Sequence, residues 1–171
     1  YMYDYSKWRQ YCLTTPGHNT ILVDGKVQHR SDRDADKVTQ APLDNPRITT
    51  PFFEYAAASY TNGYVSPKPK LTSAHRVYYK NDLDTSVTHA RHVIYLRPYY
   101  WLVVDFLEGR CDHRYEALFH LGASDAEMDG AKAVTTRGTP LASLGLYPME
   151  MGGLEASIAK GQEEPLRGWQ P

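Results

Sequence analysis

The stretch that decides the fold is SVTHARHVIYLRPYYWLVVDFL, residues 86–107. In Ser86–Leu96 successive side chains alternate between two faces, which is the period of a β-strand. Arg97–Tyr100 then turns the chain into Trp101–Leu107, an almost continuous apolar run that predicts a strand in the centre of a sheet. The sequence therefore predicts two long strands joined by a turn.

Shorter strand signals, separated by turn residues, continue on both sides of this stretch. Asp24-Gly25 between Thr20–Val23 and Lys26–His29 predicts a hairpin, because such a turn needs positive φ. Further strands are predicted at Phe52–Tyr60, Tyr115–Leu121, Ala131–Thr136, Leu141–Tyr147 and Leu154–Ala159. The best helical periodicity, near Ser124–Met128, is short. Many short strands with turns between them predict an antiparallel sandwich or barrel.

Length and charge exclude several classes of protein. A chain of 171 residues suits one domain, and we assign residues 1–171 to a single all-β antiparallel β-sandwich. Its 19 Lys+Arg and 20 Asp+Glu give a net charge of −1, whereas nucleic-acid binding requires a basic excess on one face. There is no apolar run of about 20 residues, so no membrane span is predicted. The missing initiator Met suggests a piece of a longer protein.

Cysteine and tyrosine give weaker signals. Cys12 and Cys111 fit no metal-binding spacing, and we predict two buried free thiols in preference to a disulfide. The chain has 14 Tyr against four Phe and three Trp. Tyrosine suits wet, adhesive surfaces such as sugar-binding faces, because its ring is apolar and its tip is polar.

Histidine offers the main candidates for chemistry. His89 and His92 are three residues apart on a predicted strand, so they lie on opposite faces and cannot share a metal ion. His120 follows an apolar pair and is expected to be hydrogen-bonded in the core or at its rim. In Pro16–Thr20 a Pro-Gly turn delivers His18 and Asn19 to the start of a strand, where side chains can enter a cleft. The residues alone leave a turn-stabilising role and a catalytic role both open.

Three segments resemble a known family. They are residues 8–11 and 14–25 (WRQY and TTPGHNTILVDG), residues 89–105 (HARHVIYLRPYYWLVVD) and residues 115–121 (YEALFHL). Together they resemble the C-terminal β-sandwich of the heparinase II/III-like polysaccharide lyases, a group that includes alginate lyases. The likeness covers most of residues 8–121.

This resemblance implies a two-domain enzyme in which an N-terminal α/α toroid packs against the sandwich. Such lyases cleave uronic-acid glycans by β-elimination, and they are periplasmic or secreted. Much of the catalytic machinery lies on the toroid, so the isolated chain is expected to be inactive. A sandwich histidine completes the site, and His18 matches it. Asn19 is the corresponding candidate for substrate binding.

The resemblance also raises a metal site, because some of these enzymes bind a divalent ion such as Zn²⁺ or Ca²⁺ in the sandwich through His and Asp. Asp36 and His89 are the candidates here. Where some relatives have His-Asn-His, this chain has His18-Asn19-Thr20, and threonine is a poor zinc ligand. The alternative for Asp32, Asp34 and Asp36 is a solvated loop.

Two functions therefore remain open. The first is the sandwich domain of a polysaccharide lyase, with an acidic polysaccharide and the toroid as its partners. The second is a non-catalytic carbohydrate-binding or structural sandwich, in which tyrosines hold sugar rings and His18 only secures a turn.

Overall fold

A computed structural model describes residues 6–29, 43–67, 70–71, 77–78, 82–122, 125–129, 133–137, 144–149 and 152–168. The described chain is all-β apart from one short helix, α1 (Lys7–Leu13), and a 3-10 turn at Thr15–Gly17. The strands are β1 (Ile21–Val23), β2 (Val27–Gln28), β3 (Arg47–Thr49), β4 (Phe53–Tyr60), β5 (Tyr64–Val65), β6 (Lys70–Leu71), β7 (Val77–Tyr78), β8 (Val87–Leu96), β9 (Tyr100–Gly109), β10 (Tyr115–Ala117), β11 (Asp125–Asp129), β12 (Ala133–Arg137), β13 (Gly145–Leu146), β14 (Gln162–Glu163) and β15 (Leu166–Arg167).

The described chain divides into two compact units, Ile21–Ala117 and a second formed by Tyr1–Thr20 with Leu118–Pro171. The assignment of all 171 residues to one domain stays a prediction. Every ladder between the described strands is antiparallel. No helix among the described residues is long and apolar enough to cross a membrane.

The four-stranded sheet of the first unit has the order β3-β4-β8-β9. β8 pairs with β9 from Val87↔Gly109 to Leu96↔Tyr100, so the two long predicted strands are confirmed. Among the described strands β9 lies at the edge of this sheet and β8 lies inside it, so the prediction that Trp101–Leu107 is central was wrong. The apolar run reflects exposed side chains as well as buried ones: Trp101 keeps 60% of its surface accessible.

A core in the same unit joins strands from different sheets. Ile21 and Val23 of β1 pack with Tyr64 of β5 and Val87 of β8, and each is at most 2% exposed. β1 pairs with β10, β5 with β2, and β8 with β4 and β9, so separate sheets face one another across this cluster. Packing of antiparallel sheets across a shared apolar core is the defining feature of a sandwich. The predicted fold class is thus confirmed.

The Asp24-Gly25 turn forms as predicted, with positive φ at both residues and a bridge between Val23 and Lys26. The hairpin prediction was wrong beyond that bridge. β1 continues into a ladder with β10, whereas β2 pairs with β5, so the two strands diverge into different sheets. A second turn, at residues 62–63 between β4 and β5, has a φ of +83° at Gly63.

The other unit contains α1, the sheet β11-β12-β13 and the pair β14-β15. Residues 125–129, where the helical periodicity is short, form β11, because cross-strand pairing with β12 overrides a weak local preference. Leu154–Ala159 forms no strand. Within Tyr115–Leu121 only residues 115–117 are a strand, and within Leu141–Tyr147 the described strand is Gly145–Leu146.

Both cysteines are free thiols, in agreement with the preference against a disulfide. The prediction that they are buried was wrong, since Cys12 is half-buried and Cys111 is exposed. The loop that carries Asp32, Asp34 and Asp36 lies outside the described residues.

Candidate functional site around His18

The segment that leads to His18 is fixed by short-range contacts. Ser6 caps α1 by accepting a hydrogen bond from the Arg9 amide, and the Thr14 hydroxyl donates to the Gln10 carbonyl at 2.9 Å. Gly17 is required by close packing, because a Cβ at this position would lie 2.5 Å from the Tyr11 carbonyl oxygen. The 3-10 turn therefore holds a tight path against α1.

His18 leaves this turn with an extended backbone and an exposed side chain. Its amide donates to the Thr15 carbonyl at 3.0 Å, and its carbonyl accepts from the Thr20 amide at 3.0 Å. The imidazole makes no hydrogen bond to any residue within the described ranges. A fixed backbone therefore carries a side chain that is available to an incoming ligand.

Asn19 joins the turn that carries His18 to the segment after β10. The Oδ1 atom of Asn19 accepts a hydrogen bond from the His120 amide at 2.6 Å, and the Leu118 amide donates to the Thr20 carbonyl at 2.9 Å. Asn19 thus has a structural bond beside the candidate histidine. Its predicted role in substrate binding stays a prediction.

His120 is half-buried and hydrogen-bonded, as predicted. Its Nε2 atom lies 2.9 Å from the Pro16 carbonyl oxygen, which can only accept, so Nε2 carries a proton. In the neutral ring the Nδ1 lone pair then faces the Tyr11 hydroxyl at 3.5 Å. Burial raises the pKa of Tyr11, whose side chain stays protonated and suited to donate this bond. The His120 ring therefore packs under the turn that presents His18.

His89 and His92 lie on opposite faces of β8, as predicted from their spacing. His92 contacts Tyr55 and Phe106, whereas His89 is buried with its Nε2 2.7 Å from Asp105 Oδ1. Arg91 also binds Asp105, at 2.7 and 2.9 Å. His89 is buried, with 4% of its surface exposed, and its Nε2 is engaged by Asp105. The other candidate ligand, Asp36, lies outside the described residues, so the site they were predicted to form stays a prediction.

A second polar cluster, which sequence reasoning missed, surrounds His113. Its Nδ1 lies 2.7 Å from Asp24 Oδ2, and its Nε2 lies 3.2 Å from Ser86 Oγ and 3.3 Å from Cys111 Sγ. Ser86 also donates to Asp84, whose other oxygen pairs with Lys26 at 2.8 Å. Asp24 and His113 are 89 positions apart, so no local sequence motif predicts that their side chains meet.

An exposed aromatic surface lies at the end of the β8–β9 ladder where the chain turns from β8 into β9. Tyr95 and Trp101 stack with ring centroids 4.2 Å apart and planes 10° from parallel. The Arg97 guanidinium lies 5.6 Å from the Tyr95 ring and pairs with Glu54. Within the described part of the chain, Tyr95 and Trp101 thus form a stacked aromatic pair beside the charged groups of Arg97 and Glu54.

These features define a class of protein: an antiparallel sandwich that follows, in the chain, a hydrogen-bonded turn with an exposed histidine. Comparison with family models gives that class a name, because the model of the heparinase II/III-like C-terminal family matches residues 1–144. The chain belongs to this family, as its resemblance predicted. The match includes the segment with His18 and the β8–β9 ladder. No curated protein and no solved structure matches the chain.

Proposed function

We propose that this chain is the sandwich domain of a polysaccharide lyase that cleaves uronic-acid glycans by β-elimination. The observation that carries the proposal is His18, an exposed imidazole without a hydrogen-bond partner in the described chain, within the segment that the family matches. A histidine needed only to secure the turn would be expected to bond to it, and here the backbone and Asn19 make those bonds.

The reaction explains why an imidazole is useful at this position. A base removes the proton from C5 of the uronate, the electrons of that bond form the C4=C5 double bond, and the C4–O bond breaks. The leaving oxygen then takes up a proton. The C5 proton is poorly acidic while the adjacent carboxylate keeps its full charge, so a donor must face that carboxylate. His18 serves as this donor or as a proton-transfer group, since imidazole changes charge near neutral pH.

The remaining machinery belongs to an N-terminal α/α toroid, which is the second partner of the proposal. An acidic polysaccharide bound against His18 would be held by both domains. The family resemblance implies a periplasmic or secreted protein, so the proposal also includes such a location.

The test compares the full-length protein with the isolated chain. Each is incubated with an alginate, a heparin-like glycosaminoglycan and a neutral glucan, and the ultraviolet absorbance of the unsaturated uronate product is followed. We expect the full-length protein to act on one of the acidic glycans only, and the isolated chain to be inactive. Absence of product from all acidic glycans, with the full-length protein folded, would contradict the proposal. Turnover by the isolated chain would show that the toroid is not needed.

A second candidate function rests on the stacked Tyr95–Trp101 pair. Aromatic faces stack on the apolar faces of sugar rings, so this surface could bind a glycan without cleaving it. Trp101→Ala should then weaken retention of the isolated chain on an immobilised glycan, while His18→Ala should leave it unchanged. Equal retention of the Trp101→Ala variant and the unaltered chain would dismiss this candidate.

A further inference from the structure

The cluster around His113 places an exposed thiol, an imidazole and a carboxylate in a row. Cys111 Sγ lies 3.3 Å from His113 Nε2, and His113 Nδ1 lies 2.7 Å from Asp24 Oδ2. The Arg114 amide donates to the other oxygen of Asp24 at 2.8 Å, which directs Oδ2 toward the ring. A nucleophile beside a base that a third group orients is the arrangement that activates cysteine and serine side chains.

The hydrogen bonds assign the protons of this cluster. The bonds from His113 and from the Arg114 amide lower the pKa of Asp24, so its carboxyl is ionised and only accepts. Nδ1 of His113 therefore carries a proton and donates it to Asp24. In the neutral ring Nε2 then has a lone pair, and the Cys111 thiol is a donor that faces it. The imidazole is thus in the tautomer that can accept the thiol proton.

Ser86 favours the state in which that proton has moved to the ring. Its hydroxyl donates to Asp84 Oδ1 at 2.6 Å, and hydrogen bonds from Lys26 and Ser86 lower the pKa of Asp84, which stays ionised. Because the serine proton is committed there, Ser86 Oγ meets His113 Nε2, at 3.2 Å, only as an acceptor. It repels the lone pair of the neutral ring and accepts a hydrogen bond from the protonated ring. Both N–H groups of the imidazolium therefore find acceptors.

The cluster is buried at its base and open at its nucleophile. The His113 side chain is only 4% exposed, whereas Cys111 is exposed. The Tyr115 ring lies beside the imidazole, with centroids 6.2 Å apart, and burial raises the pKa of its phenol, which therefore adds no charge. Water competes little for the imidazole, while a small reagent can reach the sulfur.

We propose that Cys111 is a reactive thiol that forms mixed disulfides with small disulfides, with His113 as its base and Asp24 as the residue that orients the base. His113 Nε2 takes the thiol proton, the sulfur of Cys111 attacks one sulfur of the disulfide, and that S–S bond breaks. The other sulfur leaves as a thiolate and takes the proton from Nε2. The site does not use His18, and it is independent of the proposed lyase activity.

The experiment follows the reaction of the reduced full-length protein with glutathione disulfide, and site-resolved mass spectrometry gives separate rates for Cys111 and the half-buried Cys12. The reference is an unstructured peptide with the sequence of residues 109–115. At pH 7 only a few per cent of an ordinary thiol is ionised, so complete proton transfer raises the rate by up to about thirtyfold. A thiolate is a weaker nucleophile when the pKa of its thiol is lower, which removes part of that gain. We expect Cys111 to react about tenfold faster than the peptide.

The advantage over the peptide should shrink toward about pH 9, where an ordinary thiol is itself largely ionised. A contact that only stabilises the fold would not produce this dependence. An advantage of the same size at every pH would therefore contradict the role of His113 as a base, and a rate at Cys111 no higher than that of the peptide at pH 7 would overturn the proposal.

Two variants test the base and its orienting residue. His113→Gln should lower the rate at Cys111 to about that of the peptide. Asp24→Asn removes the charge that stabilises the imidazolium, while asparagine tolerates the φ of +52° at this position, and it should lower the rate about threefold or more. Asp44→Asn, on an exposed loop, is the matched control and should react as the unaltered protein does. An unchanged rate at Cys12 shows that a variant is folded; equal rates at Cys111 in Asp24→Asn and the control would overturn the proposal even if His113→Gln does not fold.

Discussion

Asp105 is the residue whose removal we expect to destabilise the sandwich most clearly. Its carboxylate accepts from His89 and twice from Arg91 at 2.7–2.9 Å, and only 16% of its side chain is exposed. Removal of one partner of a buried ion pair costs about 3–5 kcal/mol. The Arg91 side chain keeps 20% of its surface accessible and can recover some hydration, so we expect about 3 kcal/mol for Asp105→Ala.

For a chain of this length the change corresponds to a fall in Tm of about 6–12 °C. Urea unfolding followed by circular dichroism measures the free energy directly, with Asp44→Asn as the control on an exposed carboxylate. The control should lie within about 0.5 kcal/mol of the unaltered protein. A loss below about 1 kcal/mol for Asp105→Ala would refute the reasoning that this cluster is a buried, mutually dependent unit.

The same residue predicts a pH dependence. Burial alone would raise the pKa of Asp105, but the hydrogen bonds from His89 and Arg91 outweigh it and lower the pKa to about 2. In the unfolded chain an aspartate titrates at about 3.9. The stabilisation is therefore fully present above about pH 4 and is lost as the pH falls through about 2. The difference in unfolding free energy between Asp105→Ala and the unaltered protein should shrink by about 2 kcal/mol over that window, and a constant difference would contradict the assignment.

Two further predictions concern the turn at Thr15–Gly17 and the fold class. Gly17→Ala should destabilise the chain by about 1–3 kcal/mol in urea unfolding, because the new methyl group would press on the Tyr11 carbonyl, and an unchanged midpoint would show that the turn is not tightly packed. Far-ultraviolet circular dichroism should be dominated by β-structure, since α1 is the one helix within the described ranges; a helix content above about 30%, ordinary for globular proteins, would contradict the sandwich.

The long strands could be predicted from sequence because their signals are local. Alternation in Val87–Leu96 gives both the strand and its two faces, and turn chemistry gives the path at Asp24-Gly25. Strand partners could not be predicted in the same way. The apolar run of β9 indicates a strand but not whether another strand pairs with its second edge, and among the described strands β9 lies at the edge of the sheet. Similarly, β11 exists because β12 pairs with it.

In the candidate site, too, the local features could be predicted from sequence and the long-range contacts could not. His18 and Asn19 were found because a Pro-Gly turn and a family motif mark them within five consecutive residues. The contacts of Asn19 with His120, 101 positions away, and of Asp24 with His113 depend on how distant segments meet. In the sequence, the cluster around His113 shows itself only in the two-residue spacing between Cys111 and His113. That spacing alone does not predict a site.

The central claim is that His18 takes part in catalysis rather than in folding, and turnover of the full-length His18→Ala variant tests it most directly. A lost proton-transfer or charge-neutralising group costs on the order of 10²–10⁴ in rate. Because the imidazole is exposed and unbonded within the described chain, Tm should change little. Glu155→Gln, another exposed side chain, is the control and should retain full turnover. The account predicts a loss of at least a hundredfold at unchanged Tm; near-normal turnover, or a loss that accompanies unfolding, would contradict it.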